Sequence, residues 1–272
     1  MRDAVMTALV YLCALTVFAV LVWIIADVVL RGAGSFSFTF LVSEPLDAGR
    51  AGGIGPIVVS TILILVVCLC AALPIGLGAA IFLSEFTRGD RASGHFVRSS
   101  LDVLAGVPSI VFGLFGTVLF CEVLGLGFSI LSGGLTLACM ILPLLIRTTE
   151  LGLRSVSAGD RLGAAALALS KTTTLRWIIL PVAAPAIIAG TVLGLGRAIA
   201  ETAALIFTSG YVSRMPESLM DSGRALSVHI FDLAMNVPNG DESAYASALV
   251  LIVLLIAVNL TTASVTTRVL AR

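Results

Sequence analysis

The chain reads as an all-α integral membrane protein with six transmembrane helices, and three observations lead there. It is 58% hydrophobic and only 12% charged, where a soluble domain carries about 25% charged residues. Its mean hydropathy is +1.11. Stretches of about 20 uncharged residues recur along it, each long enough to cross a hydrocarbon core. Such a composition needs an apolar solvent, and the spacing of the charges identifies that solvent as membrane lipid.

The spans fall at 4–30, 54–83, 101–125, 128–147, 183–207 and 245–266 within a single transmembrane domain, 1–272. The first run is longer than the roughly 7–15 residues of a signal-peptide core, so it is an uncleaved helix. The second contains Pro74, which predicts a kink or a run past the bilayer surface. Gly125-Leu126-Gly127 forms a tight uncharged turn between the third and fourth spans. An even number of spans puts both termini on one side, and the basic residues choose it. Arg2, Arg88, Arg91, Arg98, Arg147, Arg154, Arg161, Lys171, Arg176, Arg268 and Arg272 fall on one side; Arg31, Arg50, Arg214 and Arg224 fall on the other. By the positive-inside rule the first side, with both termini, is cytoplasmic. Two large loops follow, a cytoplasmic one at 148–180 and an external one at 208–244.

Several function classes drop out. The formal net charge is zero, so no basic field argues for nucleic acid. The odd set Cys13, Cys68, Cys70, Cys121 and Cys139 lies inside apolar runs, which argues against a disulfide framework. His95 and His229 are loop histidines without neighbours at ligand spacing, so no metal site and no cofactor is expected. Lys171 follows Ser170 without the glycine pattern of a phosphate-binding loop, so the chain is not an ATPase or any other enzyme by this reading.

The cytoplasmic loop carries its own signals. Ser157-Ala158-Gly159-Asp160 has the spacing of a capping box, and the Ala/Leu run behind it is a strong helix former. A second short helix is expected from Thr172–Thr174 to Ile179, ahead of Pro181.

In the membrane, Arg197 and Glu201 are the one charged pair deep inside a span. A charge there costs about 2.5–3.5 kcal/mol on insertion scales. At spacing four on one helix the two side chains share a face and can pair. Two readings stand: an internal salt bridge that offsets its own cost, or an arginine on an anion path, its planar fork suited to an oxyanion. Pro108 and Ser109 interrupt the third span, either as a packing kink or as a helix break lining a water-filled path. Gly190 and Gly194 form a G-x-x-x-G that predicts close helix packing.

The segment Leu162-Gly163-Ala164-Ala165-Ala166-Leu167-Ala168-Leu169-Ser170-Lys171, followed by Leu180-Pro181, resembles the coupling loop of bacterial ABC importer permeases. That loop begins Glu-Ala-Ala, with Gly six residues and Leu-Pro eighteen residues after the Glu. Here Leu162 replaces the Glu and Ala168 the Gly. Further segments resemble the permeases of phosphate-specific ABC importers (PstA-type, binding-protein-dependent transport system permeases): Gly52 to Pro56, Ala72 to Gly76, Ala105 to Phe115, Arg147-Thr148-Thr149-Glu150, and Gly196 to Ala203. The resemblance covers about residues 50–270.

It implies a phosphate permease paired with a second, homologous permease subunit, two cytoplasmic ATP-binding subunits below and an external phosphate-binding protein above. It places Arg197, Glu201, Pro108 and Ser109 on the substrate path. Gly163, Ala164, Ala165, Ala168, Ser170, Lys171, Leu180 and Pro181 fall at the coupling contact. Three rivals remain: a permease for molybdate, tungstate or sulfate, a non-conducting phosphate-sensing scaffold, and a gradient-driven transporter. The last calls for inverted repeats, and no convincing pair is visible.

Overall fold

The computed structural model describes residues 2–87 and 92–270. Arg88, Arg91 and Arg272, which enter the orientation argument, lie outside the described residues. The helices are α1 (Arg2–Gly32), α2 (Phe38–Val42), α3 (Gly55–Ile81), α4 (Ala92–Ala105), α5 (Ser109–Gly116), α6 (Ile130–Arg154), α7 (Ala158–Ala166), α8 (Lys171–Thr174), α9 (Leu180–Ile199), α10 (Ala203–Ile206), α11 (Leu226–Met235) and α12 (Asp241–Leu270). A two-residue hairpin, β1 (Pro45–Leu46) with β2 (Ala51–Gly52), precedes α3.

Among the described residues five helices are long and apolar enough to cross a membrane: Val5–Gly32, Gly55–Phe86, Ile130–Arg154, Lys171–Ile199 and Asp241–Thr261. The predicted span 101–125 is instead an elbow. Gly94–Ala105 and Ser109–Val123 are bent by 102° at the Gly106-Val107-Pro108 break, and make a sixth span if the pair is counted as one. Proline cannot donate to the preceding turn, and the residue before it is pushed out of helical geometry. Pro108 accordingly sits at φ −58°, ψ 143°, as the cap of α5.

The centre of the bundle is α6, flanked by α3 and α9. Ile64, Cys68, Leu137, Met140, Ile141, Ile199 and Leu205 are buried together there. Lipid is as apolar as leucine, so these helices associate through close packing more than through the hydrophobic effect. Gly190 lies against the Thr148 hydroxyl, and Gly194 would bring a Cβ to 3.4 Å from Ile141. The G-x-x-x-G of α9 is thus its contact with α6. By contrast α1 has its membrane-crossing window wholly unburied and touches the rest of the chain mainly along α12.

The 148–180 segment differs from expectation in one respect. α7 forms, with Ser157 Oγ accepting from the Asp160 amide at 3.1 Å. The second short helix does not stand alone. α8 runs through a π-helical turn, Leu175–Ile179, straight into α9 as one 29-residue helix. Pro181 therefore does not end it. The wider turn just before it absorbs the geometry, the Leu180 amide reaching the Leu175 carbonyl.

The 208–244 segment is not an open loop either. The Ile130 and Leu131 amides at the start of α6 donate to the Asp221 and Leu219 carbonyls at 2.9 Å each. Its helix α11 is sunk against α12, with Leu226, Val228 and His229 buried. His229, expected as a loop residue, is inside the fold.

Candidate functional site

The predicted pair is not a pair. α9 ends at Ile199, and residues 200–202 leave the helix before α10 starts. Four residues apart across a break no longer means one face. Glu201 is 8% exposed; its Oε1 accepts the Ala204 amide at 3.1 Å, and its own carbonyl accepts Ser227 Oγ at 2.6 Å. The carboxylate serves the first turn of α10, and Ser227 satisfies the carbonyl that the break released. Arg197, in the last turn of α9, is exposed and, among the described residues, has no hydrogen-bond or ion-pair partner in the chain.

The two interrupted segments lie side by side. α5 packs on α10: Gly113 would bring a Cβ to 2.9 Å from the Ala204 Cα, and Thr117 Oγ1 donates to the Phe207 carbonyl at 2.6 Å. Pro108 and Ser109 at the start of α5 therefore belong to the same pair of broken spans as Glu201. Pro108 is exposed and Ser109 half-buried. Non-helical backbone at membrane depth is stable only where protein or a water-filled cavity satisfies it. The crook of the elbow on the α6 side is a concavity of about 450 Å³ lined by Leu101, Val107, Phe112, Phe115, Leu142 and Ile146, among others, all apolar. An oxyanion has nothing to bond there.

The residues expected at the coupling contact separate into two groups. Gly163, Ala165, Ala168, Ser170, Lys171 and Pro181 are exposed. Ala164 is buried, and Leu180 packs on the apolar cluster of Leu83, Leu101, Ile146, Leu153 and Ile179. Those two hold the segment in place. Ala168 is at φ +52°, its amide donating to the Ala165 carbonyl and the next amide, of Leu169, to the Ala164 carbonyl, both at 3.0 Å. This is the Schellman ending of α7, with the left-handed residue at the position glycine prefers. Ala168 adopts the conformation without being glycine. Leu162, replacing a glutamate of the resembling loops, is 69% exposed.

Sequence reasoning passed over Thr117, Ser227 and the ion pairs of Arg98 with Glu150 and Arg161 with Glu85. The F-G-L-F-G run at 112–116 held a usable signal, small residues three apart on one helix face. Ser227 carried none.

Comparison with known proteins follows this geometry. The profile of the family described as binding-protein-dependent transport system inner membrane component matches residues 72–271. A probable ABC transporter permease protein, YqgI of Bacillus subtilis, is 29% identical over 95% of this chain and 92% of its own length. The phosphate transport system permease protein PstA 2 of Mycobacterium bovis is 31% identical over 93% and 84%. PstA of Mycobacterium leprae is 32% identical over 88% and 80%. Among solved structures, an inward-facing form of the MetNI methionine ABC transporter superposes with a TM-score of 0.62 at 14% identity, over 79% of this chain and 96% of that one; this likeness concerns the fold alone. With the family profile covering most of its length, the chain belongs to the inner membrane components of binding-protein-dependent transport systems.

Proposed function

We propose that this chain is the permease subunit of an ATP-driven importer of inorganic phosphate. The PstA relatives support the substrate, since they are named phosphate permeases and align over most of both chains. The observation that carries the mechanism is Arg197: a fixed positive charge, unpaired among the described residues, one turn before a helix break. A guanidinium left free of carboxylates can meet an oxyanion bidentately. Pro108, Ser109 and Glu201 shape the path beside it, Glu201 by holding the start of α10. A permease needs only weak, transient affinity, because a tight site would retain the ion.

In this reading the elbow α4–α5 is one of six spans and both termini are cytoplasmic. A second, homologous permease subunit completes the path. Residues 157–180 dock on one of two ATP-binding subunits through the exposed Gly163, Ala165, Ala168, Ser170 and Lys171. An external phosphate-binding protein delivers the ion. Nucleotide-driven closure of the ATPase pair would press on α7 and switch the spans between inward- and outward-facing states.

The test is co-purification with the ATPase followed by uptake of labelled phosphate into vesicles. ATP-dependent uptake that unlabelled phosphate suppresses, and molybdate, tungstate and sulfate do not, is the expected result. Suppression by one of the other oxyanions would reassign the substrate, and ATP-independent uptake would remove the importer reading. Ala165→Asp, which forces a charge into the docking contact, should abolish uptake with the chain still in the membrane. Normal uptake would return residues 157–180 to the status of a connecting loop.

A further inference from the structure

Two arginines at the cytoplasmic surface hold helix ends in a way the transport path does not use. Arg161, on α7, forks onto Glu85, with Nη1 at 2.7 Å from Oε2 and Nη2 at 3.0 Å from Oε1. Its Nη2 also donates to the Leu153 carbonyl near the end of α6, at 2.8 Å. Glu85 lies in the π-helical turn Phe82–Phe86 that ends the second span. Arg98, on α4, grips the same two elements from the other side. Its Nε donates to Glu150 of α6 at 2.7 Å, and its Nη2 to the Leu83 carbonyl of the turn at 3.0 Å. The turn and the tail of α6 are thus each held twice, once from α7 and once from α4.

α7 has little else to hold it. Of its nine residues only Ala164 is buried, and a cleft of about 250 Å³ bounded by Glu85, Arg161, Ala165, Lys171 and Leu175, among others, opens between it and the second span. A helix so sparsely packed passes a displacement onward only through its strongest contacts. Arg161 and Glu85 are mostly shielded from water, at 32% and 18% side-chain exposure, so their bond is less screened than a surface pair. From Arg98 the connection continues along α4 to the Gly106–Pro108 bend.

We propose that Arg161 is a positioning residue of transport: through Glu85 and the Leu153 carbonyl it makes the second and fourth spans, and α4 behind them, follow α7. The proposal rests on the reading that residues 157–180 dock on an ATPase. A lysine at 161 keeps the charge, but its single ammonium lacks the planar fork that engages both Glu85 oxygens and the Leu153 carbonyl together.

The experiment uses the full permease–ATPase complex in vesicles and measures three quantities: ATPase co-purified, ATP hydrolysed, and phosphate imported per ATP. Arg161→Gln should leave the co-purified ATPase unchanged and lower phosphate imported per ATP by about tenfold. Arg161→Lys should lower it less, and the exchanged pair (Glu85→Arg with Arg161→Glu) should recover most of it. Should Arg161→Gln fail to accumulate, Arg161→Lys and the exchanged pair carry the same ratio measurement. A purely structural role would cut the yield of complex and leave the ratio intact, and that outcome overturns the proposal. Absence of ATP-driven uptake by the unaltered complex overturns the importer reading itself, which separates the two failures.

Discussion

The arginines gathered around Glu150 and Glu85 and the arginine at the end of α9 have the same chemistry and opposite situations. Arg98, Arg147 and Arg154 converge on Glu150, at 2.7, 3.6 and 3.0 Å. Arg147 also meets Asp102, and Arg161 meets Glu85. Each of these charges is matched within the chain, around carboxylates of Glu150 and Glu85 that are only 3% and 18% exposed. Arg197 is unmatched among the described residues, exposed in the last turn of α9. If its role were structural, the nearby carboxylate of Glu201 would serve as its partner, but that carboxylate is committed to the Ala204 amide. Paired charge marks where the fold is held, and unpaired charge marks where something outside the chain is met.

The strongest way to test the first half of that contrast is Glu150→Gln. The Glu150 side chain is 3% exposed and carries three guanidiniums. Removing the acid leaves the arginines repelling one another, and breaking a buried pair from one side costs about 3–5 kcal/mol. The purified chain should lose that much stability, read as a lowered unfolding temperature in detergent. An unchanged temperature would show that the cluster holds nothing.

The second half is tested by Arg197→Gln. No intrachain bond is lost, so stability and co-purification with the ATPase should stay near normal. Uptake should fall about a hundredfold, equivalent to roughly 2.7 kcal/mol of lost interaction. A loss of stability like that of Glu150→Gln would erase the distinction between the two regions. Glu201→Gln, which keeps an oxygen to accept the Ala204 amide, should lose far less uptake than Arg197→Gln. Equal loss would put both residues on the path.

How much of this could be seen in the sequence depends on how local its cause is. The spans at 4–30, 54–83, 128–147 and 245–266 were legible because lipid imposes a length and a polarity on each one separately, whereas the helix expected at 183–207 runs from Lys171 to Ile199. Also legible were the cap at Ser157 and the α6-facing glycines of α9, whose signals lie within four residues. The elbow was half legible. Pro108 announced a break, yet hydropathy has no direction, and two half-helices at 102° score like one straight helix. The break at 200–202 was not legible at all. Ala200, Glu201 and Thr202 include no helix breaker, and what stabilises the interruption is Ser227, 26 residues away. The same distance effect hid Arg161 and Glu85, 76 residues apart. Leu162 and Ala168 departed from the resembling loops, yet α7 still ends as a Schellman turn, because its hydrogen bonds and not its glycine define it.

The 208–244 segment offers a third environment, in which a neutral group is held beside a matched pair. Arg224 and Asp232 pair at 3.0 Å, and His229 is fully buried next to them, its Nδ1 3.4 Å from Arg224 Nη1. Burial first, and then the Arg224 charge, push its pKa down from 6.5 to about 4. The folded chain therefore keeps His229 neutral at pH 5, while the unfolded chain protonates it below about 6.5. The unfolded state binds the extra proton, so stability is lost as pH falls from about 6.5 towards 4, by about 2 kcal/mol between pH 7 and 5. Proteolysis of the 208–244 segment in wild type should accelerate over that interval. His229→Gln should flatten the dependence; an equal slope in the variant would assign the effect to other groups.

The smallest effect concerns the end of α7, where backbone and not charge is under strain. Ala168 sits at φ +52°, a region that costs an L-residue with a Cβ roughly 1–2 kcal/mol and glycine almost nothing. Glycine also gains more entropy in the unfolded chain, which offsets part of that relief. Ala168→Gly should therefore stabilise the segment by about 1 kcal/mol at most, detectable as slower amide exchange at Ala168 and Leu169, whose amides close the turn. Because both arginine regions keep all their bonds in this variant, its transport per ATP should match wild type. Faster exchange at those amides would mean that Ala168 is held by packing against a partner rather than tolerated at a strained cap. A change in transport per ATP with exchange slowed as expected would mean that the stiffness of α7 itself enters the coupling.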